Sequence, residues 1–133
     1  MKKYLPILFF LVALTACKKT EFEPKGPTDV RIRNLSDQNF TEIVVKIKDE
    51  SIPFGDIAKQ GGISEYFRFE TAFRYAEITT KVNGVTFSTG PVDYAYLNYY
   101  GQMRITYEVW ISDFSGKKLE IHNVIPEEPL VLK

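Results

Sequence analysis

The side chains able to do chemistry in this chain are few and scattered. Cys17 is the only cysteine and His122 the only histidine. A catalytic histidine needs a nucleophile or a paired carboxylate within hydrogen-bond reach. The alternation around His122 instead faces it outward, across from Glu108, where a cross-strand pair contributes roughly 0.2–1 kcal/mol. One histidine and one cysteine exclude the usual zinc ligand sets. Asp37 and Asn39 carry oxygens suited to calcium, but they lack the spacing of a calcium loop and read as polar loop residues. Glu127 and Glu128 are adjacent carboxylates in a proline-rich tail, where the burial that raises a carboxyl pKa is not expected. No glycine-rich phosphate loop and no Gly-x-Ser-x-Gly turn occurs. No catalytic residue, cofactor or metal site is therefore expected, and the chain reads as a non-enzyme.

Aromatic side chains are the remaining candidates for contact with a ligand. The chain has ten phenylalanines, eight tyrosines and one tryptophan. Tyr94, Tyr96, Tyr99 and Tyr100 crowd one short window, and alternation places Trp110 on an outward face. Exposed aromatics with polar tips stack on sugar rings or anchor a protein partner. Tyr99, Tyr100 and Trp110 are the candidate ligand-contact residues, weighed against core and rim packing in a β domain.

Cys17 is set apart by what precedes it. Lys2 and Lys3 form a positive start, Tyr4 to Leu14 carry no charge, and Thr15 and Ala16 are small. These are the parts of an export signal. The apolar run is about half of the ~20 residues that a spanning helix needs. Leu14-Thr15-Ala16-Cys17 resembles the lipobox of bacterial lipoproteins at all four positions. That resemblance implies a diacylglyceryl group on the Cys17 thiol, cleavage before Cys17 and acylation of the new amine. Two or more acyl chains, at about 0.8 kcal/mol per buried CH₂, hold a protein stably at a membrane. Lipidation of Cys17 would leave no thiol for a disulfide. Lys18 is not the aspartate associated with inner-membrane retention, so the resemblance points to the outer membrane.

The rest of the chain divides accordingly. Residues 1–16 are the leader, 17–29 the lipidated cysteine and a tether, 30–125 a β domain, and 126–133 a tail that is extended at an edge or loosely ordered. Lys18 to Asp29 hold two prolines, a glycine and alternating charges, and twelve residues reach at most roughly 40 Å. With 17 basic and 17 acidic side chains the chain is neutral, and loss of Lys2 and Lys3 leaves a net charge of about −2. No basic run occurs, so nucleic acid is not an expected partner. The expected partners are the membrane, through Cys17, and an unidentified protein or glycan.

Period-two alternation dominates from Val30 onward and predicts strands. The first spans Val30–Arg33. The second spans Thr41–Asp49, with Ile43, Val45 and Ile47 on one face. Ser51–Ala58 contains Pro53 and Gly55 and is expected as a short edge strand at most. Ser64–Glu70 should face Phe67 and Phe69 inward. Asn83-Gly84 between alternating runs predicts a type I′ hairpin pairing Val82 with Val85, Thr80 with Phe87 and Ile78 with Thr89. Met103–Ser112 and Lys117–Val124 should form a second hairpin. Its expected three-residue loop, Phe114-Ser115-Gly116, places Gly116 in the left-handed conformation, Trp110 opposite Glu120 and Glu108 opposite His122. Seven or eight such strands predict an all-β fold, an antiparallel two-sheet sandwich of immunoglobulin-like or transthyretin-like topology.

Several stretches resemble small lipoproteins of Bacteroidetes-type bacteria. They are Val30-Arg31-Ile32-Arg33-Asn34, Phe54-Gly55-Asp56-Ile57 with the glycine turn and Ser64-Glu65-Tyr66 after it, Pro91-Val92-Asp93-Tyr94, and Gly101-Gln102-Met103-Arg104-Ile105-Thr106-Tyr107. The resemblance implies the same sandwich and carries no activity and no site residues. The expectation is a lipid-anchored, non-enzymatic envelope protein that binds or supports another component. The alternative is an accessory glycan-binding lipoprotein of a surface uptake or adhesion system.

Overall fold

A computed structural model describes residues 26–129. The leader, Cys17, the first part of the tether and the last four residues lie outside the described residues. The described strands are β1 (Thr28–Asn34), β2 (Phe40–Ile47), β3 (Glu50–Ile57), β4 (Gly62–Ile63), β5 (Phe67–Phe69), β6 (Glu77–Val82), β7 (Val85–Ser88), β8 (Met103–Asp113) and β9 (Lys118–Pro129). They form one sheet in the order β3-β2-β6-β7-β9-β8-β1-β4, with β5 also on β1. Two pairings are parallel, β1 with β8 and β7 with β9.

This sheet is mixed, nearly closed and barrel-shaped, which corrects the expected antiparallel two-sheet sandwich. Alternation demands only that each strand bury one face, and a sandwich and a barrel both meet that demand. The deciding pairing is non-local. β1 runs parallel to β8 from Thr28↔Met103 to Asn34↔Val109, and this joins the last hairpin to the β4–β5 side and curls the sheet round. Across the remaining seam, Phe54 of β3 packs on Phe67 and Phe69 of β5, with ring centroids 4.4 and 6.2 Å apart. The Glu70 N–H donates to Glu50 Oε1 at 2.6 Å beside them.

The inward faces meet in one core. Val30 and Ile32, Ile43, Val45 and Ile47, Ile78 and Val82, Phe87, Ile105, Tyr107 and Val109 are all buried. Each such side chain contributes roughly 1.5–3 kcal/mol of transfer free energy. β3 lies at the end of the strand order as expected, but it runs eight residues rather than a short stretch.

The first predicted hairpin forms as its sequence dictates. Asn83 and Gly84 both take positive φ (52° and 79°), and Val82↔Val85 and Thr80↔Phe87 are paired. Thr89 N–H continues the ladder by donating to Ile78 O at 3.0 Å.

The second hairpin differs in its turn. The pair Asp113↔Lys118 closes a four-residue loop, and Lys117 (φ 56°), not Gly116, takes the positive φ. Without correction, that loop would set Glu120 opposite Ile111 and mix the faces. An extra residue at Ser112 absorbs the slip and restores Ile111↔Leu119, Trp110↔Glu120 and Val109↔Ile121. A second irregularity sets Glu108 opposite Asn123 rather than His122. Bulges of this kind change register locally while the buried face is kept.

β9 also runs further than the expected domain boundary. Thr106↔Ile125, Ile105↔Pro126 and Met103↔Pro129 remain paired. Val109 O accepts from Leu35 N–H at 2.9 Å, so the odd-numbered residues of this part of β8 turn their backbone groups toward β1. Pro126, opposite Ile105, therefore sits where an antiparallel ladder needs no N–H from it.

Candidate functional site

The candidate aromatics lie in two separate places. Tyr99 and Tyr100 belong to residues 89–102, which link β7 to β8 and, with residues 70–76, close over the barrel end where β8 begins. Tyr100 N–H donates to Ala72 O at 2.9 Å, and Tyr99 forms an isolated bridge with Phe73. The Tyr94 ring packs 4.9 Å from that of Phe73, and the buried Tyr107 hydroxyl donates to the Phe73 carbonyl from inside the barrel. Burial holds the phenols of Tyr94 and Tyr100 above their ordinary range, and pushes that of Tyr107 much further up. Tyr75, Tyr96 and Tyr99 remain exposed on this cap, Tyr96 at 94%.

Trp110 lies far along β8, seven residues past Met103, or roughly 23 Å at 3.3 Å per residue. The structure therefore does not join Tyr99, Tyr100 and Trp110 in one patch. Trp110 is 39% exposed and stacks on His122, with ring centroids 4.2 Å apart. The bulge that moves His122 away from Glu108 creates this contact. Asn39, the other loop candidate, uses Oδ1 to accept the Lys59 N–H at 3.0 Å, and Asp37 is exposed. Among the described residues no three histidine, aspartate or glutamate side chains gather as for a metal ion.

A polar network on the outer wall escapes sequence reasoning. Ser64 to Tyr66 bulge between β4 and β5, where Ser64 Oγ accepts the Ile32 N–H at 2.9 Å. Tyr66 is thereby laid over β1 and β8, with the Arg31 and Arg104 guanidinium groups 4.8 and 5.2 Å from its ring centre. Its hydroxyl donates to Glu127 Oε2 at 2.5 Å. Glu127 Oε1 accepts from Thr106 Oγ1 at 2.8 Å and from Arg31 at 2.9 Å. The bond from the Tyr66 hydroxyl, with those from Thr106 and Arg31, holds the Glu127 carboxyl below its ordinary pKa, while burial raises that of Tyr66. Beside this network, Arg68 clasps Asp29 with bonds of 2.8 and 3.3 Å. The Glu127 carboxyl is held in its ionised form with its oxygens occupied, which suits it to pinning β9 to β1 rather than to moving a proton. The alternating arginines of β1 hinted at such a face, but the proline-flanked tail hid Glu127.

A cleft of about 370 Å³ opens where β7 and β9 part. The strands share one backbone pair, Ser88↔Lys118, after which the chain turns at Gly90 (φ 84°) and Pro91. Thr89, Pro91, Val92 and Asp93 form one wall; Leu119, Glu120 and Ile121 form the other, with Tyr75 and Ala76 between them. Its volume falls at the lower end of ligand-binding clefts.

In comparisons with known proteins, no family model matches the chain and no curated protein does. Among solved structures, the chain is similar to an NMR structure of a protein from Eubacterium rectale, with 16% identity, 77% of this chain and 94% of that chain covered, and a TM-score of 0.47. The fold assignment rests on the strand pairing itself.

Proposed function

We propose that the protein is a lipid-anchored, non-enzymatic binding module of the bacterial cell envelope, at the outer membrane. The observation that carries this reading is Leu14-Thr15-Ala16-Cys17 behind a charged and then apolar leader, with Cys17 the sole cysteine. The likeness to Bacteroidetes-type lipoproteins agrees with it. The exposed tyrosines of the cap and the cleft beside β9 support a contact role. Replacing Cys17 with Ala tests the anchor: the variant should leave the membrane fraction and appear soluble, and retention in the membrane fraction refutes the reading.

A second reading, an accessory glycan-binding role, is favoured by the half-exposed Trp110 ring backed by His122. Base and sugar faces stack on such rings with no need for a deep pocket. Affinity electrophoresis through polysaccharide gels should show retardation that Trp110→Ala removes. Unretarded migration through a broad panel counts against this role.

A further inference from the structure

We infer that the split between β7 and β9 is a docking groove for an extended segment of a partner protein, which adds as a strand to β9 and carries a basic residue. The inference deepens the reading as a binding module and rests on it.

The backbone of β9 makes the argument. Val109 turns its carbonyl to β1, so its antiparallel partner Ile121 turns its own N–H and C=O away from β8, into the split. Across the cleft the opposite backbone is already committed. Thr89 N–H goes to Ile78 O, Gly90 N–H to Ser88 Oγ at 2.9 Å, and Val92 N–H to Glu77 Oε1 at 3.3 Å. Nothing on that wall reaches over to pair with β9 beyond Ser88↔Lys118 among the described residues.

The rest of the β9 edge is blunted. Val124 N–H is taken by Asn123 Oδ1 at 3.0 Å, Pro126 has no N–H, and the irregularity at His122 breaks the ladder. Caps, prolines and bulges are the devices that keep sheet edges from pairing. In the stretch lining the cleft, Leu119 to Ile121, the Leu119 N–H completes the bridge to Ser88, and the Leu119 carbonyl and the Ile121 N–H and C=O carry no such device. An open strand edge beside a cleft that takes side chains is the arrangement used in strand addition.

The side chains narrow the partner. Ala76, Pro91, Val92 and Ile121 offer apolar walls, and the charged residues lining the cleft, Asp93 and Glu120, are both acidic. A strand with apolar residues flanking a lysine or arginine satisfies both.

The test uses the isotope-labelled full chain in detergent micelles, titrated with the capped peptide Thr-Val-Lys-Val-Thr. The Ile121 amide signal should shift and its hydrogen exchange should slow. A peptide N-methylated on its backbone should bind at least about tenfold more weakly, as should Thr-Val-Glu-Val-Thr. Glu120→Lys, at an exposed position, should reverse the preference between the lysine and glutamate peptides. An Ile121 amide unmoved by millimolar peptide, or binding indifferent to N-methylation, overturns the inference. Anchoring is read by fractionation and docking by titration, so either can fail without the other.

Discussion

Glu127 holds three neighbours at once: the hydroxyls of Tyr66 and Thr106 and the guanidinium of Arg31. Its carboxyl pKa is lowered, chiefly by the Tyr66 hydroxyl, so the folded chain binds this proton less readily than the unfolded chain. The stabilisation it provides is present above the ordinary carboxyl pKa, 4.5, and is lost as pH falls through the lower folded value. Glu127→Gln keeps the shape and removes the titration. Urea midpoints measured downward from neutral pH should fall less steeply for the variant below about pH 4.5. Parallel slopes would show that Glu127 plays no part in acid sensitivity. The sequence did not reveal this residue because its partners lie 21 to 96 positions away.

Among the elements, those whose chemistry is local were legible and those that answer to distant partners were not. Asn83-Gly84 demands positive φ at two adjacent positions, and that alone set the β6–β7 register. The β8–β9 pairing was read correctly near Trp110, although Ser112 and Lys117 achieve it by a different turn. Alternation predicts one strand over Ser64–Glu70; in the fold the Ser64 hydroxyl accepts from β1 and Tyr66 leaves the ladder, so only Phe67–Phe69 form a strand, β5, separate from β4 before it. Gly62 at the start of β4 illustrates how tightly this piece is held. A Cβ there would collide with the backbone carbonyl oxygen of Ala58. Gly62→Ala should cost about 1–3 kcal/mol, seen as a lower urea midpoint with an unchanged slope. A midpoint equal to that of the parent would mean that the 58–61 turn yields freely.

For the whole molecule, the all-β class was legible because alternation reports buried faces, whereas closure was not, because no local pattern encodes which strands meet across 75 residues. The tyrosines of the wall, the cap and the core share one signature. Tyr66, Tyr94, Tyr100 and Tyr107 all have raised phenol pKa values, each chiefly from burial. The folded state favours the neutral phenol, so this stability is complete below the ordinary pKa of 10 and is lost as pH rises through the folded values. Above pH 10, phenolate absorbance from these residues should grow in step with loss of sheet circular dichroism. Complete ionisation of all eight tyrosines while the sheet signal stays intact would contradict the buried placement.

The parallel pairing of β1 with β8 also sets the order of events during folding. β1 is the first described strand to leave the ribosome, yet its central neighbour follows about a hundred residues into the chain. Contacts of such sequence separation place a domain among the slow folders, on the scale of milliseconds to seconds. Until β8 arrives, one edge of β1 has no partner, while β4 and β5 can already pair with the other. The β2–β3 and β6–β7 hairpins are local, but the sheet cannot close without β8, so a chain stopped short of β8 has no closed barrel to reach.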